Sequence, residues 1–229
     1  MKNNDITVEY IFHSGFTLET NEYFFVFDYF KGDIELPDKP VIVFVSHGHP
    51  DHLNEEIFKW PIFHKDITYI LSDDITATAS DSIRLLGPYE QIDYLNLKIK
   101  TFGSTDLGVS FLIQTDGINI FFAGDLNWWH WKNDPDEENI QMEKSFKYEI
   151  DKIKGENVDI AFFPVDPRLE ESYYLGGEYF INKIKPKYFF PMHFGDNYEM
   201  IDAFINIMKI SGTKIVKISN RNEKIKIQN

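Results

Sequence analysis

A chain of 229 residues with 43% hydrophobic residues can bury a large core without crosslinks, so one globular domain spanning residues 1–229 is the expectation. It contains no cysteine, which excludes a disulfide framework and a thiolate zinc cluster and leaves imidazole and carboxylate to hold any metal. A net charge of −14 opposes sequence-independent binding to phosphate backbones, so nucleic acid is a disfavoured partner and a small molecule the expected one. The opening residues MKNNDITVEY lack the apolar stretch of a secretory signal, and no segment reaches the roughly 18 apolar residues of a membrane span. A cytoplasmic protein is therefore expected.

In chain order, residues 6–12, 16–20 and 23–28 are β-rich, with Asn21-Glu22 as the turn joining the last two. Between the first pair, His13-Ser14-Gly15 reads as a hairpin turn that also offers His13 as a candidate near a site. Residues 41–45 run apolar without a break and end at Ser46, the pattern of a strand buried on both faces.

The segment SHGHPDH follows at 46–52, in the loop at the carboxyl end of that strand, the usual place for a site in layered α/β proteins. His47, His49, Asp51 and His52 put three imidazoles and a carboxylate within six residues, and Gly48 and Pro50 support the tight backbone this requires. One such loop can serve two metal positions about 3.5–4 Å apart, and neutral imidazole is the commonest metal ligand.

A second strand-rich block covers 69–72, 98–102, 109–114 and 118–123, with Thr115-Asp116-Gly117 as a hairpin turn. Residues 138–152 have helical spacing and end at Gly155. A strand at 159–163, a helix at 177–184 closed by Pro186, a strand at 187–190, a helix at 198–210 closed by Gly212 and a strand at 214–218 complete the chain. Strand-rich halves with helices between and after them predict an α/β fold, an αββα four-layer sandwich.

SHGHPDH after an apolar strand resembles the H-x-H-x-D-H signature of the metallo-β-lactamase superfamily, and the resemblance extends over nearly the whole chain. Phe121-Phe122-Ala123-Gly124-Asp125 and Phe189-Phe190-Pro191-Met192-His193 stand where that family places a later aspartate and a histidine, and Asp28 is similar to the acidic residue that supports its metal loop. The resemblance implies that His47 and His49 ligate one metal, that Asp51, His52 and His193 ligate the other, and that Asp125 bridges them. It implies zinc, as one or two ions, with manganese or iron as alternatives. Metal-bound hydroxide would be the nucleophile and the protein a hydrolase, similar to bacterial zinc-dependent hydrolases of the lactonase and phospholipase branches.

One element of the family pattern is missing. No histidine lies between His64 and His130, where a third imidazole for the first metal belongs. Asp106, Ser104, His130 and His13 are the candidate replacements, and a single tight metal on Asp51, His52, Asp125 and His193 is the alternative. Asp51 and His130 are the catalytic candidates, His130 as a ligand or as a proton donor to the leaving group; stacking within the aromatic cluster is its structural alternative. His64 reads as structural or solvent-facing. Trp128, Trp129 and Trp131 form either an apolar wall for a substrate or a packed corner. Arg168 either clamps a substrate carboxylate or phosphate, with Asp166 behind a metal-bound histidine, or simply pairs with Asp166. The expected substrate is a small phosphoester, lactone or amide-like molecule. A phosphodiesterase or nuclease of the same superfamily and a metal-binding sensor without turnover are the competing readings.

Overall fold

The computed structural model describes residues 6–115, 117–208 and 212–227. The chain lays down β1 (Ile6–Phe12), β2 (Gly15–Glu19), β3 (Phe24–Phe27), β4 (Val41–Val45), β5 (Ile67–Ser72), β6 (Ile83–Leu86), β7 (Gln91–Tyr94), β8 (Leu97–Phe102), β9 (Ser110–Thr115) and β10 (Ile118–Phe122). It continues with α1 (Asp136–Ile153), β11 (Ile160–Pro164), α2 (Leu175–Ile184), β12 (Tyr188–Met192), α3 (Glu199–Ile207), β13 (Lys214–Ile215) and β14 (Lys224–Ile227). The strands form two seven-stranded sheets, β14-β1-β2-β3-β4-β5-β6 and β13-β12-β11-β10-β9-β8-β7. Each is antiparallel on one side and parallel on the other, the change falling at β3 in the first sheet and at β10 in the second.

The period of two along each strand builds the layers. Phe27 stacks on Phe122 at 4.8 Å between ring centroids, Phe16 meets Phe162 at 4.9 Å and Phe44 meets Phe111 at 5.3 Å, so these residues fill the space between the sheets. Their neighbours point outward. Phe121 and Phe163 stack on Phe180 of α2, and Phe189 stacks on Phe204 of α3. On the outer face of the first sheet, Val26, Val43, Tyr69 and Leu71 pack with Ile57 and Trp60 of a 3-10 segment, Glu55–Ile62. The fold is thus an α/β sandwich of two mixed sheets, as expected, with helices on the second sheet and a 3-10 segment on the first. Among the described residues no helix is long and apolar enough to cross a membrane.

Several elements differ from the sequence expectation. The Glu55–Ile62 segment contains Pro61, which breaks helical patterning. The strands β6, β7 and β14 are short, and β7 and β14 alternate between exposed and covered positions, leaving no apolar run to read. The last helix starts at Glu199 and ends at Ile207, where Met208 turns extended; residues 209 and 210 of the expected helix, like Asp116 of the expected hairpin turn, lie outside the described residues. The final expected strand shortens to Lys214–Ile215.

The carboxyl ends of β4, β10, β11 and β12 lead into the loops that carry Ser46 to Asn54, Ala123 onward, Val165 onward and His193 onward. Two glycines let loops of the two sheets close on one another. Gly108 has φ +73°, and a Cβ there would collide with Ser46 O and lie 2.6 Å from His47 Cβ; Gly124 has φ +54°, and a Cβ there would lie 2.5 Å from Ser46 Cβ. Gly108→Ala is therefore expected to cost roughly 1–3 kcal/mol of overpacking beyond the cost of Gly117→Ala, whose φ of +76° is similar but whose surroundings are open. Urea denaturation of the two variants measures the difference, and equal losses would show that the Ser46 contact does not constrain the loop.

Candidate metal centre

Asp28 follows β3, has φ +39° and is fully buried. Its Oδ1 accepts the Ser46 N–H at 2.7 Å, and its Oδ2 accepts the Ser46 hydroxyl at 2.6 Å and His52 Nδ1–H at 2.7 Å. Because the single Ser46 hydroxyl proton goes to this carboxylate, Ser46 Oγ acts as acceptor for His47 Nδ1–H at 3.0 Å. Across the site, Asp166 Oδ2 accepts His193 Nδ1–H at 2.8 Å and is itself held by Arg168 Nη2 at 2.6 Å. In their neutral form the three imidazoles are thereby fixed in the tautomer that leaves Nε2 without a proton, the arrangement in which a carboxylate or hydroxyl behind a histidine orients it toward a metal.

Those nitrogens converge on Asp125, at the carboxyl end of β10. His52 Nε2 and His193 Nε2 lie 3.2 and 3.3 Å from Asp125 Oδ1, and His47 Nε2 lies 3.7 Å from Oδ2. His13 Nε2, His52 Nε2, His193 Nε2 and Asp125 Oδ1 are all buried and make no hydrogen bond. Such a set of facing lone pairs is costly unless a cation lies between them, so the residues present fit a metal. Among the described residues three groups have ligand atoms within 4.8 Å of one another: Asp28, His47 and His52, whose Asp28 carboxylate is already taken up by Ser46 and His52, and the two candidate metal positions, His47, His49, Asp106 and Asp125, and His13, Asp51, His52 and His193.

The charge preferences agree. Burial lowers the pKa of His47 and of His13. Burial also opposes charge on His52, yet the carboxylates of Asp125 and Asp28 push it up to about 10. His193 is likewise raised against burial, chiefly by Asp125. Asp125 resists its own burial and is held well below the usual carboxylate range by His193 and His52. Without metal, protons supply the positive charge that these carboxylates require; with metal, the ion replaces them.

All six expected ligands lie in these two candidate positions. Of the proposed substitutes for the missing imidazole, Asp106 stands at the first position, with Oδ2 3.6 Å from His49 Nδ1. Thr105 Oγ1 ties this turn to the Asp125 loop by donating to Asn127 O at 2.6 Å. Ser104 instead caps the turn by accepting the Asp106 N–H at 3.2 Å, and His13 joins the second position. His130 belongs to neither position; its backbone N–H bonds Trp128 O at 2.8 Å. His64 has the structural role expected, with Nε2 2.9 Å from Pro37 O.

Beside the centre is an open cavity of about 370 Å³ lined by Asp51, Asp106, Asp125, Trp129, Trp131 and Arg168, among others. Trp128 is not among the residues of this wall and takes the packed-corner alternative. It packs on Phe146 and Tyr179 with Lys147 over its ring. Trp129 and Trp131 lie parallel to one another, 7° between planes, and Trp129 Nε1–H donates to Asp125 O at 3.0 Å.

Asp166→Asn, which weakens the support behind His193, is expected to lower metal affinity roughly 10–100-fold, as read by competition with a chromophoric chelator; unchanged affinity would remove Asp166 from the support of the site. In the metal-free protein, raised His52 contributes stability that is complete below its ordinary value of 6.5 and is lost as pH rises through about 10. Thermal melts across that window should show the loss with chelator present and its suppression at saturating zinc. Parallel curves under both conditions would contradict the exchange of proton for metal.

The Beta-lactamase superfamily domain model matches residues 7–142. Among solved structures, the chain is similar to Igni18, a novel metallo hydrolase from the hyperthermophilic archaeon Ignicoccus hospitalis, at 13% identity and TM-score 0.67, covering 98% of this chain and 99% of that one. It is similar to the metallo-beta-lactamase fold protein YhfI from Bacillus subtilis at 11% identity and TM-score 0.63, covering 97% and 99%. CmlA, a diiron beta-hydroxylase from Streptomyces venezuelae, matches at 10% identity and TM-score 0.67 over all of this chain and 55% of its own. These identities establish likeness of fold alone. No curated protein matches the chain. With the family model covering more than half of the sequence and the same two-sheet sandwich in the structure, the chain belongs to the metallo-β-lactamase fold of the beta-lactamase superfamily.

Proposed function

We propose that this protein is a metal-dependent hydrolase acting on a small phosphoester, lactone or amide-like substrate. The observation that carries the reading is the convergence of unbonded imidazole nitrogens and carboxylate oxygens on Asp125 at the edge of an open cavity. His47, His49, Asp106 and Asp125 would hold one ion, and Asp51, His52 and His193 with Asp125 the other. A bound dication supplies Lewis-acid polarisation and lowers the pKa of a water toward neutrality. Zinc is the proposed metal. A donor set of imidazole and carboxylate without thiolate also suits iron or manganese, and the diiron relative CmlA makes metal analysis the first measurement to take.

The residues of the chain supply orientation and selectivity. Asp28, Ser46 and Asp166 hold the imidazoles, so little reorganisation accompanies metal loading. Trp129 and Trp131 give the cavity a flat apolar side. Arg168 commits Nε and Nη2 to Asp166, yet its side chain is 57% exposed in the cavity wall and has donors left for a carboxylate or phosphate. The small cavity and the net charge of −14 favour a small substrate over a polynucleotide.

The test is turnover of a phosphodiester, a neutral lactone and an aryl amide by native, chelator-stripped and reconstituted protein. At least one substrate should be hydrolysed, chelation should abolish the activity, and zinc, manganese or iron should restore it. If the phosphodiester is turned over, Arg168→Gln, assayed at saturating metal because Arg168 also holds Asp166 behind His193, should raise its KM roughly tenfold or more beyond any change seen with a neutral lactone, the value of a lost charge-assisted hydrogen bond. A fully metal-loaded protein inactive on a broad ester, lactone and amide panel would favour the sensor reading instead.

A further inference from the structure

His13 occupies the turn between β1 and β2 with φ +60°, a conformation that residues other than glycine rarely adopt and that concentrates at functional sites. The conformation is held from two sides. His13 N–H donates to Tyr10 Oη at 2.8 Å, the Tyr10 hydroxyl donates to Gly195 O at 2.6 Å, and His193 N–H donates to His13 O at 2.9 Å. His193 itself has φ +68°. The first hairpin and the loop after β12 thus lock two left-handed histidines against each other, with ring centroids 3.9 Å apart.

This clamp aims the side chain inward. His13 Nε2 is buried without a hydrogen bond, and it lies 3.5 Å from Asp51 Oδ2, beyond the range of a good hydrogen bond. An ordinary hairpin turn needs none of this: a small polar residue or glycine would satisfy the backbone. Yet the ligand atoms of His13, Asp51, His52 and His193 all lie within 4.8 Å of one another.

We propose that His13 is an additional metal ligand, completing with Asp51, His52, His193 and the shared Asp125 a five-donor inner position that is the tighter of the two. The proposal rests on the metal-centre reading above but not on turnover. The inner position has three imidazoles, of which His52 and His193 are at most 1% exposed and His13 is 15% exposed, with Asp51 at 42% as its one open side; in the outer position His47 is buried, but two of its donors, His49 and Asp106, are 45% and 44% exposed. More donors and less competing water favour the inner ion, so the missing imidazole of the outer position and the added one of the inner position together make the pair unequal.

Zinc titration of chelator-stripped full-length protein, read by competition with a chromophoric chelator, tests this. The wild type should show one tight and one weaker class of site. His13→Asn, chosen because asparagine tolerates a left-handed backbone, and His13→Gly should each weaken the tight class at least about tenfold and leave the weaker class in place. Asp106→Asn should weaken only the other class. Circular dichroism of the metal-free variants, matching the wild type, separates a lost ligand from a lost fold. Unchanged tight affinity in both folded His13 variants, or a shift confined to the weaker class, overturns the role of His13 while leaving the metal centre intact. A wild type that binds no zinc, manganese or iron overturns the metal reading and this proposal together.

Discussion

The burial of carboxylates against imidazoles at one edge of the sandwich is the constraint on which the rest of the site depends. Asp28 and Asp166 are fully buried and Asp125 is 6% exposed, and each would be expensive to bury as an isolated charge. Each is instead matched: Asp28 by Ser46 and His52, Asp166 by Arg168 and His193, Asp125 by three imidazole nitrogens. The first two pairings are complete hydrogen bonds. The third is not while the imidazoles are neutral, because the single N–H of each ring is then on Nδ1, directed at Ser46, Asp28 or Asp166. The centre therefore carries a built-in demand for a cation, and a proton or a metal ion meets it.

The sandwich makes this demand sustainable. Aromatic contacts such as Phe27 on Phe122 and Phe16 on Phe162 hold the two sheets face to face, while β4 from one sheet and β10, β11 and β12 from the other end at the same edge. The candidate ligands come from five separate loops, so the site exists only when both sheets are assembled. Close approach at Gly108 and Gly124, with no room for a side chain against Ser46, keeps the loops from drifting apart. Left-handed backbone at His13, Asp28 and His193 is tolerated because the surrounding packing and hydrogen bonds over-determine it.

Much of this was legible in the residues alone. A continuous apolar run such as 41–45 marks a strand buried on both faces, and the dense segment at 46–52 with Asp125 and His193 after later strands marks the loops of the candidate metal centre. What escaped was information that lives between elements. The strands β6, β7 and β14 draw their place from pairing with neighbours rather than from an apolar run. Trp128 and Trp129 are adjacent residues of the same type, and the choice between them is made by the packing of Trp128 on α1 and α2. The replacement for the absent imidazole was equally undetermined, since Asp106, Ser104, His130 and His13 differ in spatial position rather than in chemistry. Folding sends Asp106 to one side of Asp125 and His13 to the other.

Membership of the superfamily accounts for the scaffold, while the proposed unequal division of donors around Asp125 rests on this chain's own residues. Anomalous diffraction from crystals of the protein loaded with a single defined metal measures that division directly. The account predicts peaks on either side of Asp125, with the stronger among Asp51, His52, His193 and His13 and the weaker among His47, His49 and Asp106. A metal peak elsewhere in the molecule with none at Asp125, or the stronger peak on the His47 side, would contradict it.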